Sequence, residues 1–253
     1  NHRGRAHRLW MWGWSAGFRC GHHSRDDMQN LSDILVGWMN EWLFLVQILW
    51  IGVFTLVASK GGKTALVTWL VFLAFLANFF VLKQVMLFGL EVTASDAFAL
   101  GSLLSLNLLQ EKEGAGAAKR ACWICQAILF FFAGASWIHL AFAPSPHDVS
   151  NPAFSLLFTP APRLFLASLT SLFLTQQVDI ILFSKLKMRF PETAFPIRAF
   201  FSLTVLEILD TVFFSIFGLY GIVYSILEVI LFSLVIKAFS LIALTPFTRW
   251  ACR

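Results

Sequence analysis

From Leu43 to the C-terminus the chain is a succession of mostly apolar runs of roughly twenty residues, separated by short polar gaps. A helix of that length is about 30 Å long, the thickness of a bilayer's hydrocarbon core. Lipid offers no partner to backbone N–H and C=O groups, so such runs cross as helices that satisfy themselves. The runs fall near 42–59, 64–82, 94–110, 121–143, 164–184, 199–221 and 224–247. With 58% hydrophobic residues, 28 Phe and 13% charged residues, the chain could not keep this apolar surface covered in water. The reading is an all-α, polytopic helical membrane bundle of six or seven transmembrane helices, whose first partner is the lipid bilayer.

The net charge of +5 does not indicate nucleic acid, because the basic residues sit in the gaps between apolar runs and act as topology signals. Lys112, Lys119 and Arg120 mark one cytoplasmic gap, Lys185, Lys187, Arg189 and Arg198 a second, and Arg249 and Arg253 the C-terminal end. The Pro- and Ser-rich stretch 143–152 then lies outside, with Arg163 as the exception. By parity Lys60 and Lys63 are inside and Glu41 is outside, which conflicts with the five arginines of residues 1–38. That leader has no continuous apolar core, and its Trp10-Met11-Trp12-Gly13-Trp14 run suits an interfacial segment at best. Two units are therefore expected: a leader, 1–38, foreign to the native protein, with translation starting at Met39, and an integral membrane transporter domain, 39–253.

The third apolar run holds Ser95, Asp96, Gly101, Ser102, Ser105 and Asn107, groups that lipid would leave unsatisfied, so it is expected to sit centrally. Ionisable groups inside the other runs are costly at membrane depth and read as functional by default. Glu207 and Asp210 lie three residues apart on one helix face, Gln176 and Asp179 share that spacing in the fifth run, and the seventh carries Glu228 and Lys237. A buried ammonium requires an anion, for which Asp210 and Asp179 are the expected partners of Lys237. The alternative is an ion pair with a structural role alone. A carboxylate in a water-poor pocket accepts two parallel hydrogen bonds, matching adjacent N–H donors on a guanine-like edge. Phe213, Phe214, Phe217 and Trp137 could stack on such a base, although each is more readily read as lipid-facing or core. Glu111 closes the third run at the cytoplasmic side, either in a solvated loop or as a polar partner.

Other motifs carry little. Cys122-Trp123-Ile124-Cys125 has redox spacing but lies in a hydrophobic helix, and the dispersed histidines form no metal-ligand pattern. Gly61-Gly62-Lys63-Thr64 lacks the first glycine of a phosphate loop and is an inter-helix turn. No ATPase motif or nucleophile elbow is seen. No cofactor and no metal are expected, and the chain is read as not an enzyme; the rival in that class would use Glu207 and Asp210 as acid and base.

Leu76-Ala77-Asn78-Phe79-Phe80-Val81-Leu82-Lys83 with Leu87-Phe88-Gly89, then Asn107, Glu111, Gly114 and Ala118-Lys119-Arg120, resemble the queuosine precursor transporter family, also called vitamin-uptake-transporter-like. Pro162-Arg163 with Ala167-Ser168, Gln176-Gln177-Val178-Asp179 with Phe183 and Lys185-Leu186-Lys187, Arg198, Asp210-Thr211, Lys237 and Thr245-Pro246 keep the family's spacing. The resemblance implies an inner-membrane importer of 7-deazaguanines for tRNA modification: 7-cyano-7-deazaguanine, 7-aminomethyl-7-deazaguanine or queuine. It implies Asn78, Gln176, Asp179, Asp210 and Lys237 as substrate-binding residues, with Glu111 as a cytoplasmic-side partner. Asn107 stands where the family usually has an acidic residue, and Glu207 where it usually has an amide; both join the candidate set. The remaining rival is a substrate-binding membrane subunit that depends on a separate ATP-driven partner, for another vitamin-like molecule. Nothing in the residues indicates an oligomeric state.

Overall fold

The computed structural model describes residues 23–80, 83–88, 90–93, 95–158, 162–219 and 226–251. Leader residues 1–22, Gly89, Cys252 and the side chains of Arg163 and Glu228 lie outside what is described. Helices α1 (His23–Lys60) and α2 (Gly62–Phe80) lead into a β-hairpin of β1 (Gln84–Leu87) and β2 (Leu90–Thr93). Then come α3 (Asp96–Glu113), α4 (Ala115–Leu140), the short α5 (Asn151–Phe158), α6 (Pro162–Arg189), α7 (Phe195–Phe214) and α8 (Ile226–Ala251). A π-helical turn, Ser215–Leu219, continues α7.

Among the described residues, five helices hold spans long and apolar enough to cross a membrane: Met39–Lys60, Gly62–Phe80, Ala115–Leu140, Leu166–Arg189 and Phe195–Gly218, with a shorter apolar stretch, Ser233–Phe247, in α8. The chain is a multi-pass membrane protein with an all-α bundle. Helix α1 shows how such a helix is oriented. Phe44, Ile48, Ile51, Thr55 and Ala58 recur at three- and four-residue intervals and are buried, whereas Trp42, Val46, Leu49, Trp50, Val53 and Val57 are exposed. The first stripe packs on the bundle and the second is apolar surface suited to lipid.

Helix α3 is central, as its polar content requires. It packs against α1, α2, α4, α6, α7 and α8, and every residue from 100 to 110 is buried. Ser102 Oγ donates to the Leu70 carbonyl (3.1 Å), and Gln110 Nε2 donates to the Ile180 carbonyl (2.9 Å) and Ser184 Oγ (2.7 Å). Close approach depends on Gly101, where a Cβ would lie 2.6 Å from Ile51 Cγ2.

Two local elements depart from the sequence reading. The hairpin interrupts what reads as a plain connection, pairing Val85 with Val92 and Met86 with Glu91 in antiparallel register. Leu87 and Val92 are buried, and the Phe88 ring lies 5.6 Å from Phe239 on α8. Phe88 adopts φ 53°, an uncommon conformation for a non-glycine; its N–H donates to Glu41 Oε1 (2.7 Å), while Asn40 Nδ2 donates to the Met86 carbonyl (3.1 Å). In the Pro- and Ser-rich connection, Asp148 Oδ1 accepts from the N–H groups of Ser150 and Asn151, starting the α5 turn.

Candidate functional site

The candidate residues converge on α6, which carries a polar ladder along one side. At its N-terminal part Ser168 Oγ donates to Asn78 Oδ1 (2.6 Å), while Asn78 Nδ2 donates to the Ala74 carbonyl (2.9 Å). Ser171 Oγ donates to Asp210 Oδ1 (2.7 Å). Gln176 is fully buried; its Nε2 lies 3.8 Å from Cys125 Sγ, and its Oε1 has no hydrogen-bond partner among the described residues. Asp179, also fully buried, accepts from Ser202 Oγ (2.7 Å). The Asn107 amide, with its nitrogen turned toward the carboxylate, donates to Asp179 Oδ1 (3.0 Å) and Oδ2 (2.9 Å). At the far end Lys187 Nζ meets Glu111 Oε2 (3.2 Å) and the Glu111 carbonyl (2.9 Å). From Ser168 to Lys187 the ladder rises about 28 Å at 1.5 Å per residue, comparable to the hydrocarbon thickness.

The register of α6 against α7 follows from two of these rungs. Ser171 meets Asp210 and Asp179 meets Ser202, so the helices run antiparallel and the two aspartates are separated by eight residues on each helix, about 12 Å. This separation corrects one expectation. Lys237 Nζ donates to Asp210 Oδ2 (2.8 Å) and lies 3.0 Å from Glu207 Oε2; Asp179, two turns deeper, is not its partner. Among the described residues, no cation pairs with Asp179.

Lys237 and Glu207 are each 4% exposed, whereas the Asp210 side chain is 21% exposed. Both Asp210 oxygens receive directed hydrogen bonds, from Ser171 and Lys237. Glu207 has the ammonium of Lys237 3.0 Å from its Oε2, and its Oε1 has no hydrogen-bond partner among the described residues.

Glu111 binds the basic end together. Its Oε1 pairs with Arg198 Nη2 (2.8 Å), and Arg198 Nη1 donates to the carbonyls of Phe190, Pro191 and Thr193. Lys112 Nζ donates to Ser59 O and Oγ, both at 2.8 Å. The C-terminal ends of α1, α3 and α6 and the N-terminal end of α7 thus meet in one basic cluster, as the alternation of charged gaps requires. Glu111 is a partner in this cluster, and the solvated-loop alternative falls away.

Three polar groups of the ladder escaped the sequence reading, Ser171, Thr175 and Ser202, while Ser168 entered it only through the family's spacing. Ser171, Thr175 and Asp179 recur every four residues, so a polar stripe on α6 was there to be found. Cys122 and Cys125 are buried free thiols in the core. Of the proposed stacking aromatics, Trp137 and Phe217 are more than half exposed and sit on the apolar perimeter.

Residues 93–251 match a family described as "Putative vitamin uptake transporter". A Bacillus subtilis (strain 168) protein named "Probable queuosine precursor transporter" is 31% identical over 183 residues, which cover 72% of this chain and 79% of the relative. No solved structure matches. The matched residues 93–251 contain every α6 member of the ladder together with Lys237, with Asn78 outside them, and the chain belongs to this vitamin uptake transporter family.

Proposed function

We propose that the protein imports 7-deazaguanine precursors of queuosine across the inner (plasma) membrane. The observation that carries this reading is Asp179: a fully buried carboxylate at the middle of the bundle, held by neutral donors only. The substrates named by the resemblance share a pyrimidine edge on which a ring N–H and an exocyclic amine point the same way, and a carboxylate can accept both. Asp179 would take that edge, exchanging the Asn107 and Ser202 donors for those of the base. Gln176 Oε1, buried without a partner, would accept a further N–H from the five-membered ring. Asn78 and Asp210 would line the path from the hairpin end, with Glu207 and Lys237 behind Asp210.

Alternating access follows from where the polar groups lie. The basic end is tied shut by Glu111, Arg198 and Lys187, so passage requires these contacts to part while the hairpin end closes. The relative's printed name supports the substrate class. The test is uptake of labelled queuine and its two nitrile- and aminomethyl-bearing precursors by cells lacking their synthesis and their own transporter. Expression of this chain is expected to give accumulation of at least one of the three. No accumulation despite verified membrane insertion would overturn the reading.

A further inference from the structure

Glu207 is 4% exposed and shares Lys237 with Asp210, yet its Oε1 has no hydrogen-bond partner among the described residues. The groups that act on it come from each neighbouring helix. Lys237 faces it from α8 and Asp210 from its own helix, and Asp96 at the start of α3 acts electrostatically on both Glu207 and Lys237. On α6 the nearest acidic level is Asp179, held by Ser202 and Asn107. The π-helical turn Ser215–Leu219 contributes no titratable side chain. Among the described residues, Glu207 and Asp210 set two carboxylates against the single ammonium of Lys237, and Asp96 acts on the same cluster, so acidic groups outnumber the cation they surround. A net charge in a water-poor membrane interior is strongly disfavoured.

We propose that Glu207 is a proton-binding site and that the proton it takes up moves inward with the substrate. Asp210 is the wrong member to carry the proton, because Ser171 and Lys237 each donate to one of its oxygens and leave neither free. Glu207 offers an oxygen that nothing donates to. One turn further along the same helix, the buried Thr211 hydroxyl also has no hydrogen-bond partner among the described residues. The proton balance is simple: water at the hairpin end gives up H⁺, Glu207 becomes a neutral carboxylic acid, and Lys237 keeps its hydrogen bond to Asp210 in a cluster with one negative charge fewer. A sodium ion would need several oxygens at once, and the ammonium already occupies the space between the carboxylates. The site rests on charge and geometry; its coupling to import rests on the transporter reading above.

Two measurements separate the two. In purified protein reconstituted into lipid, infrared spectroscopy is expected to show a protonated-carboxyl C=O band at neutral pH that fades as pH rises. The band shifts when glutamate is labelled with ¹³C and is absent from Glu207→Gln. Absence of the band from wild type, or no shift with labelled glutamate, overturns the proposal without relying on the variant's folding. In wild-type proteoliposomes, an acid-outside gradient is expected to drive accumulation of a labelled deazaguanine, abolished by a protonophore. Accumulation that ignores the pH gradient, or that follows a sodium gradient, overturns the coupling. A glutamate band without transport of any deazaguanine supports the site and overturns the substrate reading instead.

Discussion

Two carboxylate sites lie about 12 Å apart along the α6–α7 interface, and they are satisfied in opposite ways. Asp210 and Glu207 share the ammonium of Lys237. Among the described residues, Asp179 has only the hydroxyl of Ser202 and the amide of Asn107. A charge pair buried in the fold is costly to break, because removing one partner strands the other, whereas a carboxylate held by neutral donors can exchange them for equivalent donors on a ligand. The first arrangement therefore binds helices together, and the second is open to chemical exchange. Stability and recognition are separated along one helix.

The largest expected effect comes from Lys237→Met, which leaves two buried carboxylates without their cation; removal of one partner from a buried pair costs about 3–5 kcal/mol. Thermal unfolding in detergent should show a large loss, and combining it with Glu207→Gln and Asp210→Asn should recover most of it. Failure of the triple variant to recover stability would mean that Lys237 acts through packing instead of charge. Next comes Glu111→Gln, which weakens the clasp on Arg198 and Lys187. A charge-assisted hydrogen bond is worth about 1.5–3 kcal/mol, and the loss should appear as faster hydrogen exchange in residues 190–198 with little change at the hairpin. Asp179→Asn should change unfolding by no more than about 1 kcal/mol, since an amide retains a hydrogen-bonding role there without a charge. A comparably small effect on stability is expected from Ser168→Ala, which removes one neutral hydrogen bond to Asn78, about 1 kcal/mol; a small rise in transport KM is the readout.

The spans, the central place of α3 and the gathering of the charged gaps at one end were legible because lipid allows so few alternatives. A helix with Ser102, Ser105 and Asn107 cannot face hydrocarbon, and α3 is enclosed accordingly. The partner of Lys237 was not legible. Spacing places Asp179 and Gln176 on one face but says nothing about the register between helices, and that register puts Asp210 and Glu207, not Asp179, at the level of Lys237. The hairpin was equally hidden: its four-residue strands are too short for a periodic signal and sit between two apolar helices. The short α5 depends on the local turn set by Asp148, which a Pro- and Ser-rich composition masks.

The central claim is that Asp179 recognises the substrate and Lys237 holds the fold. Its most direct test is the binding of labelled queuine and the two precursors to purified Asp179→Asn, with thermal unfolding recorded on the same sample. The account predicts a variant that unfolds close to the wild-type temperature and has lost binding of whichever deazaguanine the wild type binds. A variant that binds as tightly as wild type, or that loses binding only because it no longer folds, would contradict it.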